Sequence, residues 1–200
     1  YTRIFKNIDS IKINPKISSV LRPFQNKGLK WLLSLHEANL GGILADDMGL
    51  GKTIQTIMLL KTLNETKTSP NPTLIIMPKT LLFNWENEFK AFAPSLKILS
   101  YDGAKRKNMI SKFSSSDIIL ASYNTIRLDI KSLSDISFNY LILDEAQYVK
   151  NSQTNTFKAI KKIKSENKLL ITGTPLENSI NDLWSLMDIA NNKYFGPFKP

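Results

Sequence analysis

Six short apolar runs, at 42–45, 73–77, 96–101, 117–121, 140–143 and 169–172, punctuate the chain, and none of them alternates apolar with polar positions. Strands apolar at consecutive positions bury both faces, as in a parallel sheet covered by helices on each side. Between the runs, apolar residues return every three or four positions: Leu29, Leu32 and Leu33; Ile54, Ile57 and Met58; Phe157, Ile160 and Ile163. That spacing marks one buried face of a helix. The alternation predicts an α/β fold with three layers, α/β/α, around a mostly parallel central sheet. Ligands of such sheets collect where the strands end and the turns begin. Residues 1–20 show no sustained period and read as a lead-in strand or linker, with the folded lobe over 21–200. The polar stretches 64–72 and 114–116 read as loops.

Three turns at predicted strand ends carry chemistry. The first is Asp46-Asp47-Met48-Gly49-Leu50-Gly51-Lys52-Thr53, set between a short strand and a helix-like run. Glycines at 49 and 51 let backbone N–H groups wrap a triphosphate. Lys52 then reaches the β and γ phosphates, Thr53 holds Mg²⁺ through its hydroxyl, and the helix directs its positive end at the anion. Asp46 stands where the general phosphate-loop pattern has its first glycine. The second turn, Asp144-Glu145-Ala146-Gln147, ends an apolar strand in two carboxylates. Alone, such a pair is more often a helix N-cap. Beside a phosphate loop, Asp144 becomes a Mg²⁺ ligand, and Glu145 the group that orients and deprotonates the attacking water. The third, Thr172-Gly173-Thr174-Pro175, is alone an ordinary turn. Its hydroxyls at Thr172 and Thr174 are placed to couple the acidic pair to movement elsewhere.

Composition adds exclusions. The chain has no cysteine and a single histidine, His36, which removes disulfide, thiolate-metal and histidine-metal frameworks. No stretch has the apolar length needed to cross a bilayer, and the first six residues lack the layout of a signal peptide. A soluble, cytoplasmic protein with no membrane partner is expected. The net charge of +10 admits a nucleic-acid partner through counterion release from phosphates. Arginine is confined to Arg3, Arg22, Arg106 and Arg127 in a chain rich in Lys, Asn and Ile, so A+T-rich coding explains the charge equally well.

Taken in order, these residues resemble the first half of a helicase superfamily two motor and, in detail, the SWI/SNF-type (Snf family) helicase-like ATPases. The loop with two acidic residues before Met48-Gly49-Leu50-Gly51-Lys52-Thr53 is similar to that family's own. Leu21-Arg22-Pro23-Phe24-Gln25, with Gly28 and Trp31-Leu32, resembles its opening segment. The resemblance implies a P-loop NTPase (RecA-like) lobe. It also implies that Arg22, Gln25, Asp47, Met48, Gly49, Leu50, Gly51, Lys52 and Thr53 bind ATP, with Gln25 as the adenine reader. Lys52, Asp144 and Glu145 are the catalytic residues it implies, Thr53 and Asp144 the Mg²⁺ ligands, and Gln147, Thr172 and Thr174 the coupling residues.

The segments Ile75 to Leu82, with Asn84-Trp85 and Glu88-Phe89, and Ser122 to Thr125 are similar to family blocks that touch the sugar-phosphate backbone. They imply Pro78, Lys79, Thr80, Ser122, Tyr123 and Asn124 as nucleic-acid contacts. Trp85, at helical spacing from Phe89, reads as core, and Lys105 to Lys107 as a basic contact or a solvated surface cluster. Gly173 to Asn178 with Leu183-Trp184-Ser185-Leu186 resembles the family's final block. Gln147 and Glu177 depart from its usual His and Gln.

The function implied is the first lobe of a double-stranded-DNA-dependent ATPase that translocates along DNA. A second RecA-like lobe of the same, longer protein is expected, since it supplies the arginines that stabilise the transition state. RNA polymerase and other DNA-bound complexes stand among the partners such motors use. Lean loops and the Lys, Asn and Ile skew point to a bacterial, nucleoid-associated setting. The rivals are an RNA-dependent DEAD/DEAH-type lobe, a non-hydrolysing nucleotide-binding scaffold, and a small-molecule P-loop kinase.

Overall fold

The computed structural model describes residues 8–66, 69–173 and 180–191. Six strands form one sheet: β1 (Gly42–Leu44), β2 (Thr73–Met77), β3 (Ile98–Ser100), β4 (Ile118–Ser122), β5 (Ser137–Leu143) and β6 (Lys164–Ile171). Their order is β1-β6-β5-β2-β4-β3, and every pairing is parallel. Seven helices accompany them among the described residues: α1 (Pro15–Ser18), α2 (Pro23–Glu37), α3 (Lys52–Thr66), α4 (Leu82–Phe92), α5 (Tyr123–Leu133), α6 (Asn155–Ile160) and α7 (Ile180–Ala190).

The apolar runs divide their side chains between the two faces of the sheet, as a strand's two-residue period requires. Ile75, Met77, Leu120, Ile142, Leu169 and Ile171 pack with Leu29 and Leu32 of α2, Ile57 and Leu60 of α3, and Trp85 and Phe89 of α4. The alternate residues Leu74, Ile76, Ile119, Leu141, Leu143 and Leu170 pack with Ile126 of α5, Phe157 and Ile160 of α6, and Leu186 and Ile189 of α7. The three-layer arrangement expected from the sequence is therefore present, with a core on each side.

Local signals set the helix starts. The Ser122 hydroxyl accepts the N–H of Thr125 at 3.1 Å to open α5, and Thr154 accepts that of Phe157 at 3.2 Å to open α6. At α2, Pro23 occupies the first turn and Gln25 reaches back, its Oε1 accepting the Arg22 N–H at 2.9 Å. This is one half of a capping box, the third helical residue satisfying the N–H of the residue before the helix.

Some boundaries differ from those expected. β5 and β6 begin at Ser137 and Lys164 rather than at 140 and 169, because their polar leading halves pair with each other, Ser137 opposite Lys164 and Phe138 opposite Ser165. α3 runs to Thr66 and a 3₁₀ helix spans Arg106–Ser115, so parts of the stretches read as loops are helical. The described part of the lead-in holds no strand. It forms a 3₁₀ turn at Ile8–Ser10 and then α1, whose Ile17 is 1% exposed and joins the core of α2 and α3. No helix among the described residues is long and apolar enough to cross a membrane.

Strand order decides where the chemistry lands. β1, β6 and β5 are neighbours, so the 46–53 loop, Thr172 and the Asp144-Glu145 turn arrive together on one half of the carboxyl edge. β2 and β4 are neighbours on the other half and deliver residues 78–80 and 122–124.

Candidate nucleotide site and adjoining groove

A cavity of 440 Å³ opens at the first half-edge, walled by Met48, Gly49, Gly51, Lys52, Thr53 and Ile54 on one side and Asp144, Glu145 and Ile171 on the other. The loop is held from within. Lys52 Nζ donates to the carbonyls of Asp46 at 2.6 Å and Asp47 at 3.0 Å, and Gln25 Nε2 donates to Leu50 O at 3.0 Å. Gly51 has φ of +78°, and a Cβ there would lie 2.4 Å from Gln25 Nε2. Only glycine satisfies both the left-handed backbone and that close approach.

Both hydrogen-bonding ends of the Gln25 amide are thus engaged, by Arg22 N–H and Leu50 O, and Gln25 is buried. Here it braces the 46–53 loop. Arg22 is exposed at the start of α2 and does not line the cavity.

Asp144 is 8% exposed. Its Oδ2 accepts the Trp85 indole N–H at 2.8 Å, and its Oδ1 the backbone N–H of Glu145 at 2.9 Å. Burial pushes its carboxyl above the usual carboxylate range, and Glu145 adds to this, against the lowering effect of those two hydrogen bonds and of Lys52. A carboxylate so placed is short of positive charge. Glu145 sits at φ +51°, in the left-handed region a non-glycine residue rarely adopts. Such strain concentrates at functional sites. Gln147 Nε2 donates to Glu145 Oε2 at 2.6 Å, and Thr172 Oγ1 donates to Gln147 Oε1 at 3.0 Å. The residues read as coupling at 147 and 172 therefore form one chain ending on Glu145. Thr174 and Glu177 lie outside the described residues.

The donor set fits a nucleotide accompanied by Mg²⁺. One buried carboxylate, Asp144, and one hydroxyl, Thr53, share the cavity wall with Lys52, and Mg²⁺ takes such sparse protein ligation with phosphate oxygens and water completing its shell.

At the second half-edge lies a groove of 640 Å³ that gathers Pro78, Lys79, Thr80, Ser122, Tyr123 and Asn124. Lys79, Thr80 and Asn124 are exposed in it. Ser122 and Tyr123 are buried in its wall with their hydroxyls in use: Ser122 bonds to Thr125, and Tyr123 donates to the carbonyl of Asp144 at 2.8 Å. Tyr123 also stacks on Tyr148, with centroids 5.5 Å apart and planes 5° from parallel. Tyr148 is 59% exposed in the same groove. Arg106, within the segment read as a basic contact or surface cluster, is tied to buried Asp129 at 2.6 Å and serves the fold.

Sequence reasoning missed two sets of wall residues. Asn84, Glu88 and Phe92 form the far wall of the nucleotide cavity; their four-residue spacing beside the buried pair Trp85 and Phe89 is the signal that marks a second face of α4. Arg127 and Leu128 line the groove, three and four positions after Asn124 on α5.

Comparison with known proteins agrees with this arrangement. Residues 24–199 match the SNF2-related domain family. The chain is 45% identical over 177 residues to helicase ssl-1 of Caenorhabditis elegans, covering 86% of this chain and 7% of that protein. It is 39% identical over 194 residues to YwqA of Bacillus subtilis, covering 96% of this chain and 21% of the relative. It thus spans about a fifth or less of these relatives. Among solved structures, the SWI2/SNF2 ATPase core of Sulfolobus solfataricus in complex with dsDNA superposes with a TM-score of 0.79 at 40% identity, over 90% of this chain and 36% of that one. The six-stranded parallel sheet and its flanking helices are those of a RecA-like lobe, and the chain belongs to the SNF2-related family of SWI2/SNF2-type helicase-like ATPases.

Proposed function

We propose that this lobe binds ATP with Mg²⁺ and, with a second RecA-like lobe of the same protein, couples its hydrolysis to movement along double-stranded DNA. The observation that carries the reading is the meeting of Lys52 and Thr53 with Asp144 and Glu145 in one cavity, joined through Tyr123 to a separate groove.

In this reading the loop N–H groups and Lys52 cradle the phosphates, and Lys52 exchanges its bonds to the Asp46 and Asp47 carbonyls for phosphate oxygens. Thr53 and Asp144 would hold the metal, which would supply positive charge to offset that of the phosphates. Glu145 takes the proton of the attacking water, and Gln147 and Thr172 fix its carboxylate. Lys79, Thr80 and Asn124 meet the phosphodiester backbone, a contact that positions without reading sequence. The Sulfolobus solfataricus core, described in complex with dsDNA, supports duplex DNA as the nucleic-acid ligand. The lobe alone turns over slowly, because the arginines that stabilise the transition state come from the second lobe.

The test is ATP turnover by the full-length protein with no nucleic acid, duplex DNA, single-stranded DNA or RNA at one low salt concentration. Stimulation by duplex DNA alone is expected. Preference for RNA, or turnover indifferent to all four conditions, would overturn the reading.

A further inference from the structure

Trp85 lies on α4 and is 1% exposed. Packing accounts for most of its surface: it belongs to the core shared with α2 and α3, and its ring lies 5.9 Å from that of Phe89. Packing does not account for where its single polar atom goes. Nε1 donates to Oδ2 of Asp144 at 2.8 Å, across 59 positions of sequence.

The indole acts beside other holds on Asp144, whose own N–H is tied to Ile76 O at 2.8 Å. The Glu145 N–H binds Oδ1 at 2.9 Å, and the Tyr123 hydroxyl binds the Asp144 carbonyl at 2.8 Å. Together they fix the carboxylate plane and the backbone beneath it, while each carboxylate oxygen keeps lone-pair capacity. The chemical type of the donor matters. An Arg or Lys at this position would neutralise the carboxylate and compete with a cation, whereas a neutral N–H orients it and leaves its negative charge in place. α4 suits this task, since Asn84, Glu88 and Phe92 on its neighbouring face wall the cavity that Asp144 enters.

We infer that Trp85 is a positioning residue for the divalent cation that accompanies the nucleotide, acting through its hydrogen bond to Asp144. The inference rests on the proposed nucleotide site. Partners that orient a metal-ligating carboxylate typically contribute 10- to 100-fold in metal affinity.

The experiment measures binding of a fluorescent ADP analogue to the full-length protein as MgCl₂ is titrated, for wild type and Trp85→Phe, alongside thermal melting. Phe keeps an aromatic ring in the core and removes only the donor and the ring's outer edge. The expected result is a Mg²⁺ midpoint raised roughly 10- to 100-fold, with affinity for the metal-free nucleotide unchanged. A lowered melting temperature with an unmoved Mg²⁺ midpoint would make Trp85 a core residue alone and overturn the inference, leaving the site reading intact. Binding by wild type that ignores Mg²⁺ would overturn the site reading itself. Should Trp85→Phe fail to fold, 3-benzothienylalanine at position 85 preserves the bicyclic shape without the N–H, and the same two results decide.

Discussion

Thr172 donates its hydroxyl to Oε1 of Gln147 at 3.0 Å, and the Nε2 of that amide donates to Glu145 Oε2 at 2.6 Å. The Gln147 amide has a donor at one end and an acceptor at the other, which lets it bridge a hydroxyl and a carboxylate. Thr172 follows β6 and Glu145 lies just past β5, neighbouring strands. A change at the Thr172 turn therefore reaches the carboxylate proposed to handle water through two bonds.

Gln147→Leu keeps the volume and breaks both bonds. Nucleic-acid-stimulated ATP turnover is expected to fall roughly 10- to 100-fold, the equivalent of the about 1.5–3 kcal/mol of a hydrogen bond to a charged group. Nucleotide affinity is expected to stay at the wild-type value. Gln147→His, which keeps one ring donor and one acceptor, retains most of the activity. Equal stimulated rates for Gln147→Leu and wild type would show that the chain carries no coupling.

Lys52→Ala removes the side chain that ties the carbonyls of Asp46 and Asp47 to the start of α3. It also removes the cation nearest the expected phosphates. Turnover by the full-length protein should drop by on the order of 10²–10³-fold, the scale of losing one preorganised charge-stabilising donor. Turnover retained near the wild-type rate would remove Lys52 from the site.

The loop and the acidic pair were legible because their chemistry is local. Glycines, a lysine and a threonine in one turn suggest a phosphate cradle, and only beside that loop does a strand ending in Asp144-Glu145 suggest a metal ligand and a base; the fold brings the two turns to one cavity. The sheet was legible from strands apolar on both faces. Contacts across long sequence separations were not. Trp85 reads as a core aromatic in sequence, and only the fold brings its N–H to Asp144, 59 residues on. Arg106 reads as surface charge until α5 delivers Asp129, 23 residues on, into its reach. Gln25 carries the reading of an adenine contact, while the fold engages one end of its amide with the Arg22 N–H and the other with Leu50 O of the loop. The polar first halves of β5 and β6 were hidden because their order comes from pairing with each other rather than from their own hydropathy.

Gly41 tests how tightly α7 closes on β1. A Cβ at Gly41 would sit 2.1 Å from the backbone carbonyl oxygen of Ala190, and Gly41 exchanges two hydrogen bonds with Asn191, each 2.9 Å. The obstructing atom belongs to a helix backbone, so no rotamer change relieves it. Gly41→Ala is expected to destabilise the fold by about 1–3 kcal/mol, the usual cost of overpacking, read as a lower urea midpoint. An unchanged midpoint would mean that the end of α7 moves aside freely.

The pH dependence of stability should be carried in part by Asp129. Burial alone would raise its carboxyl, but hydrogen bonds from Arg106 and Tyr101, with the Arg106 charge, hold it below the usual carboxylate range. A depressed carboxyl stabilises the fold above its unfolded value of about 3.9 and loses that contribution as pH falls through its lower folded value. Tyr101, bonded to the same carboxylate at 3.0 Å, is pushed up to about 12, by burial first and by Asp129 second. Its contribution is complete below about pH 10, the ordinary tyrosine value, and is lost on rising through the folded one. Asp129→Asn leaves the Arg106 guanidinium, 20% exposed, facing a neutral amide, and should cost about 3 kcal/mol near neutrality, as breaking a largely buried pair does. Between pH 5 and pH 2 its melting temperature should fall less steeply than that of wild type, because one carboxylate no longer titrates on unfolding. Parallel melting curves across that range would show that the Arg106, Asp129 and Tyr101 cluster contributes nothing to acid sensitivity.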